Sequence, residues 1–378
     1  MFYSSHLTRK TVKAETDFVH GEVTVTITMT PLMLSYFSAW ILNIYLLIDF
    51  ALADDSCFVL SALSFKHYID EFNQNDEELY GQLFSNEKAW DFLTQNIPFF
   101  DCPDKVIERT YYFRWWTFRK HIKYIDPLSP LNSCRCDRYV VTEFLPQVPW
   151  SGLNNTISCA AGHHFREGRW LHNSTYLDSY AKFWAKDGNP RGYSFWFADS
   201  VRSLSMVSGN LQLLKELLPH LVRNFEALRA TNFQRTEQGM YMNTDNRDGM
   251  EMSIGGADVK GSPRGIRPTL NSYQYGEATA LAKIIQSIGG DLQQVKQYSV
   301  ESKRLKKLVE EKLWDPNANF FKVLPVKGSS LVDVRELHGY TPWYFNLPEP
   351  DKLVAWKQLM DPQARTTSRH LLFVCLLS

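Results

Sequence analysis

The sequence has no excess of charge of either sign, with 41 Lys and Arg against 41 Asp and Glu. No long-range field therefore favours a nucleic acid or an anionic membrane surface. No internal repeat is evident, which sets aside solenoids and propellers. There is no G-x-S-x-G elbow, no P-loop and no dinucleotide fingerprint, so neither a serine hydrolase of that type nor a nucleotide enzyme is indicated, and no cofactor is expected. Cysteine is sparse, with six in all: Cys57, Cys102, Cys134, Cys136, Cys159 and Cys375. Cys134 and Cys136 stand too close together and lack a second pair, so no zinc site is read from them. His163 and His164 with Glu167 do not supply one either, because adjacent histidines point in different directions. Structural hydrogen bonding is the expectation there.

What is present is apolar and aromatic. Of 378 residues 44% are hydrophobic and 14% aromatic, including 11 Trp, enough to fill a substantial core and to leave rings over. Flat rings with a polar handle suit the faces of sugars. With no net charge, a neutral carbohydrate is the expected partner, and nucleic acid is not.

The stretch Pro31 to Ile48 carries no charge and is followed by Ala51-Leu52-Ala53, the outline of a signal peptide. Either Met33 is the start and cleavage follows Ala53, or Arg9, Lys10 and Lys13 flank residues 31–48 as a membrane signal anchor. Both place the remainder in the secretory pathway, lumenal or secreted. Two N-glycosylation sequons, at Asn154 and Asn173, agree with that compartment.

Helical signals dominate the rest. Asp104 to Lys123 has apolar residues at helical spacing after a Pro suited to a first turn. Residues 126–166 read as a long connection with a strand at Tyr139 to Phe144. Three helices are expected between Gly168 and Ala230, the last an apolar stripe after Gly209-Asn210, with Pro219 as a kink. Asn271 reads as the cap of a helix, with Gln274 in the capping-box position and Gly289-Gly290 as its end. Asp291 to Leu313 is another helix, and Asp315-Pro316-Asn317 turns the chain into a strand at Phe320 to Val326. Helices of similar length joined by alternately short and long loops suit hairpins wrapped into a toroid, with the long loops on one face.

Chemistry is expected between two of these helices. Asp248-Gly249-Met250-Glu251 joins two carboxylates through a glycine that permits a tight turn. A carboxyl desolvated by Met250, Met252 and Tyr241 has its pKa raised, as a general acid of glycoside hydrolysis requires. Either Asp248 or Glu251 can be that acid. A cation site, or a salt-bridged loop with Arg247 or Arg267, is the plainer alternative. Around them the candidate substrate-binding residues are Arg114, Trp116, Trp196, Asp199, Arg267, Asn271, Tyr273 and Tyr275, at helix starts and on aromatic clusters suited to a cleft.

The run from Gly249-Met250-Glu251 to Glu277-Ala278, the turn from Leu313-Trp314-Asp315 to Phe320-Phe321, and Gly339-Tyr340-Thr341-Pro342-Trp343 together resemble the six-hairpin glycosidases. The likeness is to the mannosylglycerate hydrolase-like group related to processing α-glucosidases and trehalases. It implies an all-α (α/α)6 toroid and an inverting hydrolase of α-linked glucosides or mannosides. The general acid would come from a mid-chain loop and the general base from a late one. The acid of the related enzymes is an Asp whose position falls on Glu251, a change of residue type that keeps Asp248 in contention. The family pattern also expects a Trp-Asn-Gly-Pro type loop after the Pro342 region, whereas this sequence runs from Arg365 to Ser378 without one. The barrel is therefore expected to be incomplete at its C-terminus, and a catalytically inactive carbohydrate-binding protein is the alternative function. The expected division is an extension over 1–53, a helical segment over 54–100, the partial catalytic toroid over 101–361 and an atypical tail over 362–378.

Overall fold

The computed structural model describes residues 60–126, 128, 138–152, 154–230, 236, 239–250, 253, 265–326 and 329–360, with the backbone of two short strands before them. The chain divides into two units, Met1–Ser61 and Ala62–Ser378. In the first, β1 (Phe18–Val19) pairs antiparallel with β2 (Glu22–Val23). The apolar stretch 31–48, the cysteines at 57, 134, 136 and 375, and the tail 362–378 lie outside the described residues. Among the described residues no helix is long and apolar enough to cross a membrane.

The second unit is built on helices. It opens with α1 (Lys66–Gln74), α2 (Ala89–Asn96) and α3 (Lys105–His121). Asp104 caps α3 through its carboxylate, which accepts the N–H of Val106 at 2.9 Å and of Ile107 at 3.2 Å, filling two of the donors a helix start leaves open. β3 (Ile122–Ile125) and β4 (Arg138–Val141) follow as an antiparallel ladder with Ile122 opposite Val141; the strand is three residues shorter at its C-terminal end than the sequence pattern indicates.

Three helical hairpins then succeed one another: α4 (Ser158–Gly168) with α5 (Thr175–Lys186), α6 (Phe197–Ser208) with α7 (Leu211–Ala230), and α8 (Pro268–Ser287) with α9 (Leu292–Leu313). Most of helix α4 falls inside the stretch 126–166 read from sequence as a long connection. Its small and polar residues carry no apolar stripe, because it packs by closeness: a Cβ on Gly162 would overlap the Trp196 indole and one on Gly168 would sit 2.6 Å from Phe118. Within each hairpin the connection is short, and Gly209 (φ +70°) and Gly289 (φ +71°) end α6 and α8 in the left-handed conformation. Between hairpins the connections are long, and every one of them leads into the N-terminus of α4, α6 or α8. Those helices touch one another in the order α4, α6, α8, while α5, α7 and α9 lie outside them.

Burial separates the two sets. Helix α8 buries polar Thr269, Asn271, Ser272, Gln274 and Glu277 as well as its apolar residues. The outer helix α9 buries a single face and leaves Lys303 and Lys307 in solvent. This all-α arrangement of inner and outer helices is the (α/α) toroid. Helix α8 starts earlier than its sequence suggests: Arg267 is the capping residue and Pro268 takes the first turn, where a missing N–H costs nothing. Asn271 is therefore an interior residue, and Gln274 is not part of a capping box.

The fit of Gly162 yields a test. Gly162→Ala is expected to cost about 1–3 kcal/mol by overpacking, read by denaturant unfolding, with loss of near-ultraviolet dichroism from the displaced Trp196. An unchanged midpoint with an unchanged aromatic signal would contradict this packing.

Candidate active site

The long connection between α7 and α8 folds onto the N-termini of all three inner helices. Its backbone takes the N–H of Ser194, ahead of α6, on the Arg247 carbonyl at 2.9 Å, and Asn243 Nδ2 donates to Ser194 Oγ at 2.9 Å. Tyr193 in turn donates its N–H to Ser158 Oγ, at the start of α4, at 2.9 Å. Gly249, at φ +65°, lies against Cys159, whose Cβ would stand 3.2 Å from a Cβ placed there. The positive φ favours glycine, and the close approach leaves little room for a Cβ.

Asp248 is the anchor of this loop. It is 3% exposed, and its Oδ2 accepts from Arg267 Nε at 2.9 Å and from the Thr269 hydroxyl. Both side chains of the Asp248–Arg267 pair are fully enclosed. Arg267 extends the network by donating from its second terminal nitrogen to Ser253 Oγ at 2.7 Å. Ser253 donates to Glu336 Oε2 at 3.2 Å, and the same oxygen takes His338 Nε2 at 3.2 Å. A chain of polar contacts thus ties the acidic loop to the first turn of α8 and to the segment preceding Gly339. Glu251 lies outside the described residues, as does Met252. Their described neighbours, Met250 and Ser253, are joined by the bond from Ser253 N to the Met250 carbonyl at 3.0 Å, and Met250 N donates to the Asp245 carbonyl at 2.9 Å.

Of the residues named from sequence, the structure brings Asp248 and Arg267 together directly. Trp196, Tyr273 and Asp199 lie one level deeper between the inner helices. Trp196 is 2% exposed; its ring meets Tyr273 at 4.5 Å, His163 at 5.0 Å and Tyr344 at 5.7 Å. Its faces are taken by other rings, so it supports the site's floor and is not an open stacking platform. Asp199 accepts from Arg166 at 2.9 Å, and burial raises its pKa, partly offset by Arg166. Asn271 is fully buried and latches the loop: its Oδ1 accepts the N–H of Tyr241 at 2.8 Å, and its Nδ2 donates to the carbonyls of Tyr241 and Arg267, each at 2.8 Å. Tyr241 itself is core, packed with Leu270 and Leu305, and forms no wall of the cleft.

Three candidates sit elsewhere. Arg114 forms a two-pronged pair with Glu167, at 3.0 and 2.8 Å, tying α3 to α4. Trp116 donates to Asn73 at 2.8 Å and stacks against Phe113, so it joins α3 to α1. Tyr275 faces away from the ring of inner helices into the clusters of Met240, Leu313 and Leu305, because it is two positions from Tyr273 and lands on the opposite side of the helix. Of the two histidines, His164 Nδ1 contacts the Tyr180 hydroxyl at 3.2 Å, and burial holds it well below the usual histidine range, while His163 meets Trp196 edge to face. Of the two sequons, Asn173 is exposed and Asn154 is half-buried.

Sequence reasoning missed Thr269, Ser253, Glu336 and His338, whose single polar side chains carry no pattern, and also Glu277. Trp196 precedes α6 without a side-chain cap, and the Glu277 carboxylate supplies one from the neighbouring helix, accepting the N–H of Asp199 at 3.1 Å and that of Ala198. Burial raises its pKa to about 8; the helix N–H groups pull it down and the Asp199 charge adds to the rise. Glu277 lies eight residues beyond Thr269, roughly 12 Å along the helix. It caps α6. Because its folded pKa stands above its unfolded one, its stabilisation is complete below about pH 4.5 and is lost as the pH rises through about 8. Melting temperature should therefore fall more steeply from pH 5 to 8 in the native chain than in Glu277→Gln, which keeps the acceptor. Parallel curves would remove this assignment.

Residues 153–371 match the mannosylglycerate hydrolase MGH1-like glycoside hydrolase domain. No curated protein matches the chain. Among solved structures, one named sialidase is 38% identical with a TM-score of 0.72, over 80% of this chain and 27% of that one. A GH63 mannosylglycerate hydrolase from Thermus thermophilus in complex with glucose is 16% identical with a TM-score of 0.38, over 44% of this chain and 50% of that one. The same enzyme with Tris and D-glycerate is 11% identical with a TM-score of 0.43, over 53% and 68%. The chain thus spans about a quarter of the first structure's length and half of the second's. On the extent of the domain match, the chain belongs to the mannosylglycerate hydrolase MGH1-like glycoside hydrolase family.

Proposed function

We propose that this chain is the catalytic part of an inverting glycoside hydrolase for a neutral α-linked glucoside or mannoside, with Glu251 as the general acid. The observation that carries this reading is the buried Asp248–Arg267 pair at 2.9 Å, which fixes the acidic loop over the starts of the inner helices. Asp248 has one oxygen engaged by a guanidinium and a hydroxyl. It is a positioning residue. That leaves Glu251 of the two carboxylates to protonate the leaving oxygen, as a water on the opposite face attacks the anomeric carbon. Ser253 and Glu336 hold the loop from its far side. The family match supports carbohydrate as substrate. Synthesis through the secretory pathway fits the uncharged stretch 31–48 and the exposed Asn173.

The test is hydrolysis of a panel of α-linked glucosides and mannosides, with proton NMR of the first product formed. Release of the β-anomer from an α-linked substrate is expected. Retention of configuration would refute the mechanism, and calorimetric sugar binding with no turnover on any substrate would replace the enzyme with a carbohydrate-binding protein.

A further inference from the structure

A cavity of about 460 Å³ lies between the loop that precedes α4 and the loop that precedes α6. Its size falls within the ~300–1,000 Å³ of ordinary ligand pockets. We propose that it is a second sugar subsite, which stacks one neutral pyranose unit of an oligosaccharide on Trp150. This rests on the carbohydrate reading above and adds a residue and a location to it.

Trp150 is 59% exposed, an indole that contributes little to any core. It is nevertheless held: Phe144 meets it edge to face, with centroids 6.0 Å apart and planes at 89°. The loop beneath is cross-linked by one buried side chain. Asn155, only 2% exposed and at φ +54°, accepts the N–H of Val148 at 3.3 Å and the Ser151 hydroxyl, and donates to the carbonyls of Pro146, at 2.8 Å, and Phe144. Gln147 closes a further bond to the Gly152 carbonyl at 2.6 Å. A large apolar ring presented to solvent on an immobilised loop loses little entropy when it binds a flat partner.

The lining chemistry selects a neutral ligand. Asn154, Thr156 and Asn189 offer amides and a hydroxyl, groups that exchange hydrogen bonds with sugar hydroxyls. Asp187 is the one charged residue among the described lining residues, and it is paired with Arg138. No unbalanced charge remains to recruit a uronic or sialic acid. The cavity also adjoins the acidic loop: Ser158 and Tyr193 line it and Cys159, next along α4, abuts Gly249.

The experiment uses the full chain made without N-glycans, in the Glu251→Gln background to prevent turnover, titrated calorimetrically with maltotriose and with α-1,2-linked mannotriose. Trp150→Ala is expected to weaken the better trisaccharide about tenfold, and Trp150→Phe to restore most of the loss. At its exposure the substitution should leave the melting temperature unchanged. Unchanged affinity in a folded Trp150→Ala, no binding of either trisaccharide, or preference for a sialylated trisaccharide would each overturn the subsite. Trp150-dependent binding by a native chain that hydrolyses nothing would sink the hydrolase reading and leave the subsite standing, whereas hydrolysis insensitive to Trp150→Ala in KM would do the reverse.

Discussion

Glu251→Gln should lower kcat on an α-linked hexoside by about 10²–10⁴, the usual contribution of a positioned proton donor, without shifting the melting temperature. The amide is nearly the same shape and cannot give up a proton to the leaving oxygen. The loss should shrink for substrates whose leaving group is an acidic phenol, because such a group departs without protonation. Asp248→Asn should behave differently: it removes the charge facing a fully buried guanidinium, so stability falls along with rate. Should Glu251→Gln retain native activity while a folded Asp248→Asn loses it on unactivated substrates alone, the roles of the two carboxylates would be exchanged.

Removing Arg267 is expected to be the most destabilising single change in the described region. Arg267→Met leaves Asp248 buried without its cation, which costs about 3–5 kcal/mol when one partner of an enclosed ion pair is deleted. It also releases Ser253 Oγ and, through it, the contact with Glu336. For a domain of this size each kcal/mol is worth about 2–4 °C of melting temperature, so a fall on the order of 10 °C should be seen by calorimetry. The double change Asp248→Asn with Arg267→Met should recover part of that loss, since neither charge is then stranded. A single variant that melts within about two degrees of the native chain would show that the pair does not anchor the loop. The same variant should lose turnover, because the acid then has no fixed position relative to the bound sugar.

How much of this was legible in advance depends on the kind of residue. Helices with one apolar face were readable: α9 runs from Leu292 to Leu313 with Asp291 as its cap, as its stripe and end signals require. Helix α4 was not, because it packs through the absence of side chains at Gly162 and Gly168, which periodicity does not record. Asn271 shows the same limit. Its residue type signals a cap, yet Pro268 one turn earlier ends the competition, and the amide is left free to bind Tyr241 and the Arg267 carbonyl. From sequence Asp248 and Arg267 read either as a salt bridge or as acid and binder, and the structure buries the two together as an ion pair. Arg114, Trp116 and Tyr275 were drawn in by residue type and helix position, but the direction of a side chain depends on which neighbour covers that face of its helix.

Local pattern was sufficient for the helical class, for the alternation of short and long connections that gathers loops at one end, and for the glycine turn after Asp248, since each arises from contacts between residues near in sequence. Which carboxylate is pinned, which aromatic ring is left open and which buried acid caps a distant helix were decided by packing. Those outcomes depend on desolvation and on partners tens of residues away, as Arg267 is to Asp248 and Glu277 is to Asp199, and a linear pattern carries neither.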